Sequence, residues 1–189
     1  NFFPLWDGPY IGYKDVEECF EDYRQNLDVK MISYDRYSQM NPEDGGTEEY
    51  FRDLRKYYEL AKSKDVPLWT VLLCIGHFRY RVPNRDDLRW QFTTSIASGC
   101  KGIMWFFFHT FKYQHVNYRG APINMFGERT ETYYYLSDVL REFHHNYGNL
   151  FETLKLQKSY HLGRAWGGFP LFKDGDSDIL LHAETIHGI

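Results

Sequence analysis

Three apolar runs in this sequence each end in a polar side chain that can bind a ligand or move a proton. Asp35 follows the first run, His77 the second and His109 the third. A carboxylate in such a place can act as nucleophile or general base when a second carboxylate stands nearby. An imidazole can donate to a hydroxyl group or shuttle a proton. These types and positions predict a site for a hydroxylated ligand, with Asp35 as its catalytic residue.

Aromatic and cationic neighbours extend this candidate site. An aromatic ring at the mouth of a site can offer its apolar surface to the face of a sugar ring. Residues two apart on a strand share a face, so we place Trp105 with Phe107 and His109. The predicted substrate-binding residues are Tyr34, Tyr37, His77, Arg79, Trp105, His109 and Trp6.

Structural alternatives exist for several of these residues. Asp35 can form a buried pair with Arg36 that fixes the loop, and His77 can be a satisfied structural group. Arg79 and Arg81 can bind a substrate carboxylate or form salt bridges within their loop. The run of phenylalanines over 106–108 is typical of a hydrophobic core.

Composition narrows the class of function. The chain has 189 residues and a net charge of −4, with both signs interspersed, so the basic footprint of a nucleic-acid binder is missing. No apolar stretch approaches the roughly 18 residues of a membrane span. Three scattered cysteines form no paired metal motif, and no glycine-rich phosphate loop occurs. We therefore predict no cofactor, no metal, no nucleic acid and no membrane partner, with the oligomeric state left open.

The hydrophobic pattern alternates between helical and strand periods. Thr47 and Asn84 are predicted N-caps, and the strands start one βα unit apart, which favours parallel pairing in an α/β protein. After residue 156 short strands are predicted instead, over 160–162, 167–170 and 178–181. The predicted helices cover 14–25, 47–63, 85–98 and 130–147, and the predicted longer strands cover 29–33, 68–75 and 103–108.

Several segments together resemble the second half of a clan-A glycoside hydrolase barrel of the β-galactosidase type. Ile32-Ser33-Tyr34-Asp35 resembles its sixth strand end, and 67–77 resembles its seventh strand. Segment 97–106 resembles the eighth strand, and 127–133 resembles the start of the last helix. Asn1-Phe2-Phe3-Pro4 would be the end of strand five.

The resemblance implies strands 5–8 of a (β/α)8 barrel over residues 1–156 and the start of a β-rich module over 157–189. A full barrel takes about 250 residues, so we interpret this chain as a fragment of a larger enzyme, and we expect 1–189 alone to fold poorly because two sheet edges stay unpaired. The implied activity is hydrolysis of a galactoside-like or related glycan by a secreted or periplasmic enzyme.

The sequence departs from that family at the catalytic carboxylates. The family's acid/base, an Asn-Glu pair after strand four, would precede Asn1, and its nucleophilic Glu is missing from Leu73 to His77. One alternative is therefore a non-catalytic carbohydrate-binding barrel that has lost its carboxylates. Another is an unrelated α/β enzyme that uses Asp35 and His77 as a pair.

Overall fold

A computed structural model describes residues 11–38, 46–111 and 116–173. It contains four helices and three strands in strict alternation over that part of the chain. The helices are α1 (Val16–Asn26), α2 (Thr47–Ser63), α3 (Arg85–Ala97) and α4 (Glu131–Phe151), and the strands are β1 (Ile32–Asp35), β2 (Leu68–Leu73) and β3 (Gly102–Phe106).

The strands form one parallel sheet in the order β1-β2-β3. Ile32 pairs with Leu68 and Trp69 pairs with Gly102, so the carboxyl ends of the three strands meet at one edge. Each helical crossover returns the chain to the next strand, as a parallel sheet requires. The predicted α/β class with parallel strands is confirmed, whereas the strand predicted at residues 1–4 lies outside the described residues.

The sheet buries both of its faces, in different ways. On one face, Ile32, Tyr34 and Leu68 pack against α2, and Leu72 packs against α3 and α4. On the other face, residues of the opposite parity pack against the loops that follow the strands. In the described part of the chain, no helix is long and apolar enough to cross a membrane.

The ends of the elements show which local signals are reliable. Asn84 caps α3 as predicted, and Asp87 completes a reciprocal capping box with both bonds at 2.9 Å. Thr47 is not a cap. It is the first residue of α2, and Gly46 takes the cap position with φ of 113°, which favours glycine. Strand β1 starts later than predicted because its pairing begins only where β2 begins, at Leu68.

The segment over 157–173 packs on the helical layer. Arg55 in α2 donates from Nε to the carbonyl of Gly167 at 2.8 Å, and the rings of Phe51 and His161 lie 4.5 Å apart. The strands predicted over 160–162 and 167–170 are wrong, because the structure shows only an isolated bridge between His161 and Leu171. Residues 178–181 lie outside the described residues, and the division into two domains stays a prediction.

Candidate functional site

Five rings gather beyond the carboxyl ends of the strands, on the face away from the helices. His77 is at the centre, with its ring centroid 5.1 Å from those of Tyr80 and Phe106, 5.7 Å from Tyr118 and 6.0 Å from Tyr37. We call Tyr37, His77, Tyr80, Phe106 and Tyr118 the strand-end cluster. It combines one imidazole with four aromatic rings, of which Phe106 ends β3 and the three tyrosines lie in the segments that follow the strands.

A tight turn places His77. Its N–H donates to the carbonyl of Tyr80 at 3.1 Å, and the N–H of Tyr80 donates back at 2.8 Å, while Phe78 between them adopts the left-handed region with φ of 45°. Gly76 precedes the turn, where a Cβ would lie 2.9 Å from Val82. The local backbone therefore holds the imidazole in one place.

The imidazole of His77 is buried and polar at once. The residue is 5% exposed, and Nδ1 has no hydrogen-bond partner among the described residues. Burial lowers the pKa of His77, and the positive charge of Arg119 lowers it further, although a hydrogen bond to the backbone of Ile75 opposes them. A neutral imidazole with an unpartnered nitrogen can exchange a hydrogen bond with a ligand hydroxyl.

This lowered pKa predicts a pH-dependent stability. In the unfolded chain His77 binds a proton below about pH 6.5, whereas in the folded chain it does so only at lower pH. Its contribution is complete above pH 6.5 and is lost as the pH falls toward the folded pKa. We expect the melting temperature to drop between pH 7 and pH 5, with a smaller drop in His77→Gln. An equal drop in the variant would contradict the assignment.

Asp35 ends β1 on the same face as the cluster. Burial raises the pKa of Tyr37, and the negative charge of Asp35 raises it further. Asp35 also contributes to the raised pKa of Tyr80, for which burial is again the main cause. A carboxylate charge therefore acts on two of the tyrosines that surround His77.

Arg36 takes a different partner from the one considered in the sequence. Its Nε donates to Asp53 Oδ2 of α2 at 2.7 Å, and the two side chains are 10% and 0% exposed. The alternative in which Asp35 pairs with Arg36 stays a prediction. The pair ties the end of β1 to α2, one residue beyond Asp35.

Gln91 of α3 fixes the end of β2 in a comparable way. Its side-chain amide donates to the carbonyl of Leu73 at 2.6 Å and accepts from the N–H of Leu73 at 2.9 Å. β1 no longer pairs with β2 at this point, so Gln91 replaces the missing strand. No pattern in the sequence indicates this role.

Replacing Gln91 by Leu is expected to cost about 2–4 kcal/mol of unfolding free energy, because two buried backbone groups lose their partners. Urea denaturation measures this cost. Gln91→Glu keeps an acceptor for the N–H of Leu73 but places a charge in the core, so it should not restore stability. A loss below 1 kcal/mol in Gln91→Leu would contradict this role.

Two predicted site residues lie on the helical face of the sheet, opposite to the strand-end cluster. Tyr34 is 1% exposed and stacks on Tyr57 of α2 at 4.4 Å. Trp105 stacks on Phe92 of α3 at 6.5 Å. The prediction that they share one pocket with Asp35 and His77 is wrong, because strand parity turns them toward the helices.

The remaining predicted residues lie around the cluster or beyond the described chain. Phe107 packs on Tyr118 at 4.8 Å, so it does not share the face of Trp105 as we expected. His109 is half-buried with its ring 5.5 Å from that of Phe111. Arg79 is exposed in the loop after His77. Trp6 lies outside the described residues.

Sequence reasoning missed Tyr80, Tyr118 and Arg119. The N–H of Gly76 donates to the carbonyl of Arg119 at 2.9 Å, and a reciprocal bond at 3.0 Å closes the bridge. This pairing of two distant loops brings Tyr118 into contact with His77, and no local sequence pattern predicts it. Arg81 donates from its terminal nitrogens Nη1 and Nη2 to the carboxylate of Asp87, so it forms a salt bridge, as one of the two alternatives proposed. No three metal-ligand side chains converge within the described residues.

Among the comparisons with known proteins, only the comparison with solved structures gives a match. No protein-family model matches the sequence, and no curated protein matches it either. The fold is similar to part of a β-galactosidase. This enzyme, from the Antarctic haloarchaeon Halorubrum lacusprofundi, superposes with a TM-score of 0.50 at 13% identity. The match covers 75% of this chain but only 22% of the enzyme, and at this identity it shows a shared mixed α/β fold alone.

Proposed function

We propose that this chain is part of a (β/α)8 barrel that acts on glycosides, and that the strand-end cluster is its sugar site. The observation that carries the proposal is the position of the cluster. In such barrels the active site lies at the carboxyl ends of the strands, and Asp35, Tyr37 and His77 all lie there. The likeness to part of a β-galactosidase supports the barrel as the parent fold.

The chemistry of the cluster fits a sugar. The rings of Tyr37 and Phe106 stack at 5.9 Å, and aromatic rings pack favourably on the apolar face of a sugar. Nδ1 of His77 offers a hydrogen bond to a hydroxyl group. Asp35 supplies a carboxylate at the same end of the sheet, where it acts as nucleophile or general base on the anomeric carbon or its water.

Glycoside hydrolysis needs a second carboxylate. Its distance from Asp35 decides the outcome, since about 5 Å suits a retaining enzyme and roughly 6.5–9.5 Å an inverting one. Among the described strands, Asp35 is the one carboxylate placed directly at a strand end. We place the second carboxylate on a strand beyond the described residues.

Turnover of a panel of 4-nitrophenyl glycosides by the parent-length protein tests this proposal. We expect hydrolysis of at least one galactoside-like member, and a fall in kcat of about 1000-fold or more in Asp35→Asn, because its uncharged amide is neither nucleophile nor base. Asp138→Asn on the exposed side of α4 is the matched control and should keep full turnover. Equal turnover in Asp35→Asn would contradict the role of Asp35.

The second candidate function is binding without hydrolysis. The single strand-end carboxylate in the described residues favours it over an unrelated enzyme that uses Asp35 and His77 as a pair. Sugar-dependent thermal stabilisation with no turnover of any glycoside would support the binding barrel. Turnover of a glycoside by the same protein would exclude it.

A further inference from the structure

A groove of about 350 Å³ lies on the helical side of the sheet, away from the strand-end cluster. One wall is formed by α2 and α3, and the other by residues 159–166. Its volume falls within the usual range for small-ligand sites. The groove is lined neither by the residues at the strand ends nor by the capping residues described above.

Aromatic side chains form much of the lining and are held in place. Trp90 packs on Tyr50 at 5.0 Å and on Phe51 at 5.6 Å, so its ring is fixed from behind. Trp166 across the groove carries the guanidinium of Arg164 over its ring at 3.7 Å. Both tryptophans are half-buried and line the groove.

Polar groups sit between these walls. The hydroxyl of Tyr160 is shielded from solvent, yet it has no hydrogen-bond partner among the described residues. His161 accepts from the N–H of Trp166 through Nδ1 at 3.1 Å, so its neutral ring carries the proton on Nε2. Buried polar groups without partners are rare in folded proteins, and a ligand hydroxyl would satisfy Tyr160.

We propose that this groove is a second carbohydrate site, which takes a neutral mono- or disaccharide between Trp90 and Trp166. Flat rings interleaved with hydroxyl groups match the two surfaces of a sugar, whose C–H face is apolar and whose edge is polar. No carboxylate lines the groove in the described part of the chain, and its one guanidinium already stacks on Trp166.

This proposal does not depend on the strand-end site. The groove residues pack against α2 and α3, whereas His77 and Tyr37 lie on the opposite face of the sheet. Either site can exist without the other. Variants confined to one face therefore separate the two proposals.

Calorimetric titration of the full chain with lactose, cellobiose and maltose tests the groove. We expect saturable binding of at least one disaccharide. Tyr160→Phe should weaken that binding by roughly 3- to 10-fold, the value of one hydrogen bond, and Trp166→Leu should weaken it further. Asp138→Asn on the exposed side of α4 should leave it unchanged, and near-ultraviolet circular dichroism checks that each variant is folded.

Each alternative outcome overturns the proposal. If no disaccharide binds to the folded protein, or if binding is equal in Tyr160→Phe and Trp166→Leu, the groove is not a sugar site. Binding lost in Asp35→Asn but kept in both groove variants would assign the sugar to the strand ends alone. Binding of adenosine in place of the disaccharides would assign the groove to a nucleoside.

Discussion

Replacing Asp53 by Ala is expected to lower the free energy of unfolding by about 3–5 kcal/mol. The carboxylate is fully buried and accepts from Arg36 at 2.7 Å, with Arg52 as a second contact at 3.4 Å. Its removal leaves the guanidinium of Arg36 buried without its partner, and Nη2 of Arg36 already lacks one among the described residues. Urea denaturation gives the change directly.

Two controls separate this buried pair from ordinary surface pairs. Glu142→Gln breaks the exposed pair with Arg89 and should cost about 0–1 kcal/mol. The double variant Arg36→Leu, Asp53→Leu should be more stable than Asp53→Ala, because no uncompensated charge remains. If Asp53→Ala costs no more than Glu142→Gln, the pair does not tie β1 to α2.

Replacing Gly167 by Ala is expected to destabilise the protein by about 2–5 kcal/mol, as the sum of left-handed strain and overpacking. Gly167 has φ of 59°, and a Cβ there would lie 2.1 Å from the backbone nitrogen of Arg52. The backbone of α2 cannot move aside for this Cβ as a flexible side chain could. The segment over 157–173 must therefore move away from α2, which also opens the proposed groove.

Gly163 provides the matched control. It has φ of 73°, but no atom lies within 4 Å of its added Cβ. Gly163→Ala should cost only the backbone strain, about 1–2 kcal/mol. Hydrogen exchange of the Phe169 and Phe172 amides, which bond to Trp166 and His161, should accelerate in Gly167→Ala alone. Similar exchange in both variants would contradict the close packing of Gly167 on α2.

The order of helices and strands followed from the sequence because each element has a strong local signal. The apolar run from Leu68 is too continuous for a strand with one solvent-exposed face. The capping box formed by Asn84 and Asp87 indicates the start of a helix. Thr47 shows the limit of such signals, since Gly46 took the cap position instead.

Which side chains reach the site was harder to predict, for a physical reason. When both faces of a strand are buried, both parities are apolar, and hydrophobicity does not tell which one faces the helices. The sequence therefore predicts Tyr34 and Trp105 in the site, although they pack on Tyr57 and Phe92. A polar residue such as His77 is more informative on an apolar strand, because its burial must be compensated.

Contacts between distant loops could not be predicted from the sequence. Tyr118 reaches His77 only because Gly76 bridges to Arg119 across more than forty residues of chain. The partner of Arg36 is likewise in another element, 17 residues along the chain. Both arise from tertiary packing, and no short-range pattern encodes them.

The ring resonance of His77 during a sugar titration tests the central claim most directly. If the strand-end cluster is the sugar site, the glycoside that the protein hydrolyses will shift the His77 Hε1 signal saturably, with the same affinity as the kinetic curve. A glycoside that is hydrolysed while the His77 signal stays unmoved would place the active site elsewhere and contradict the account.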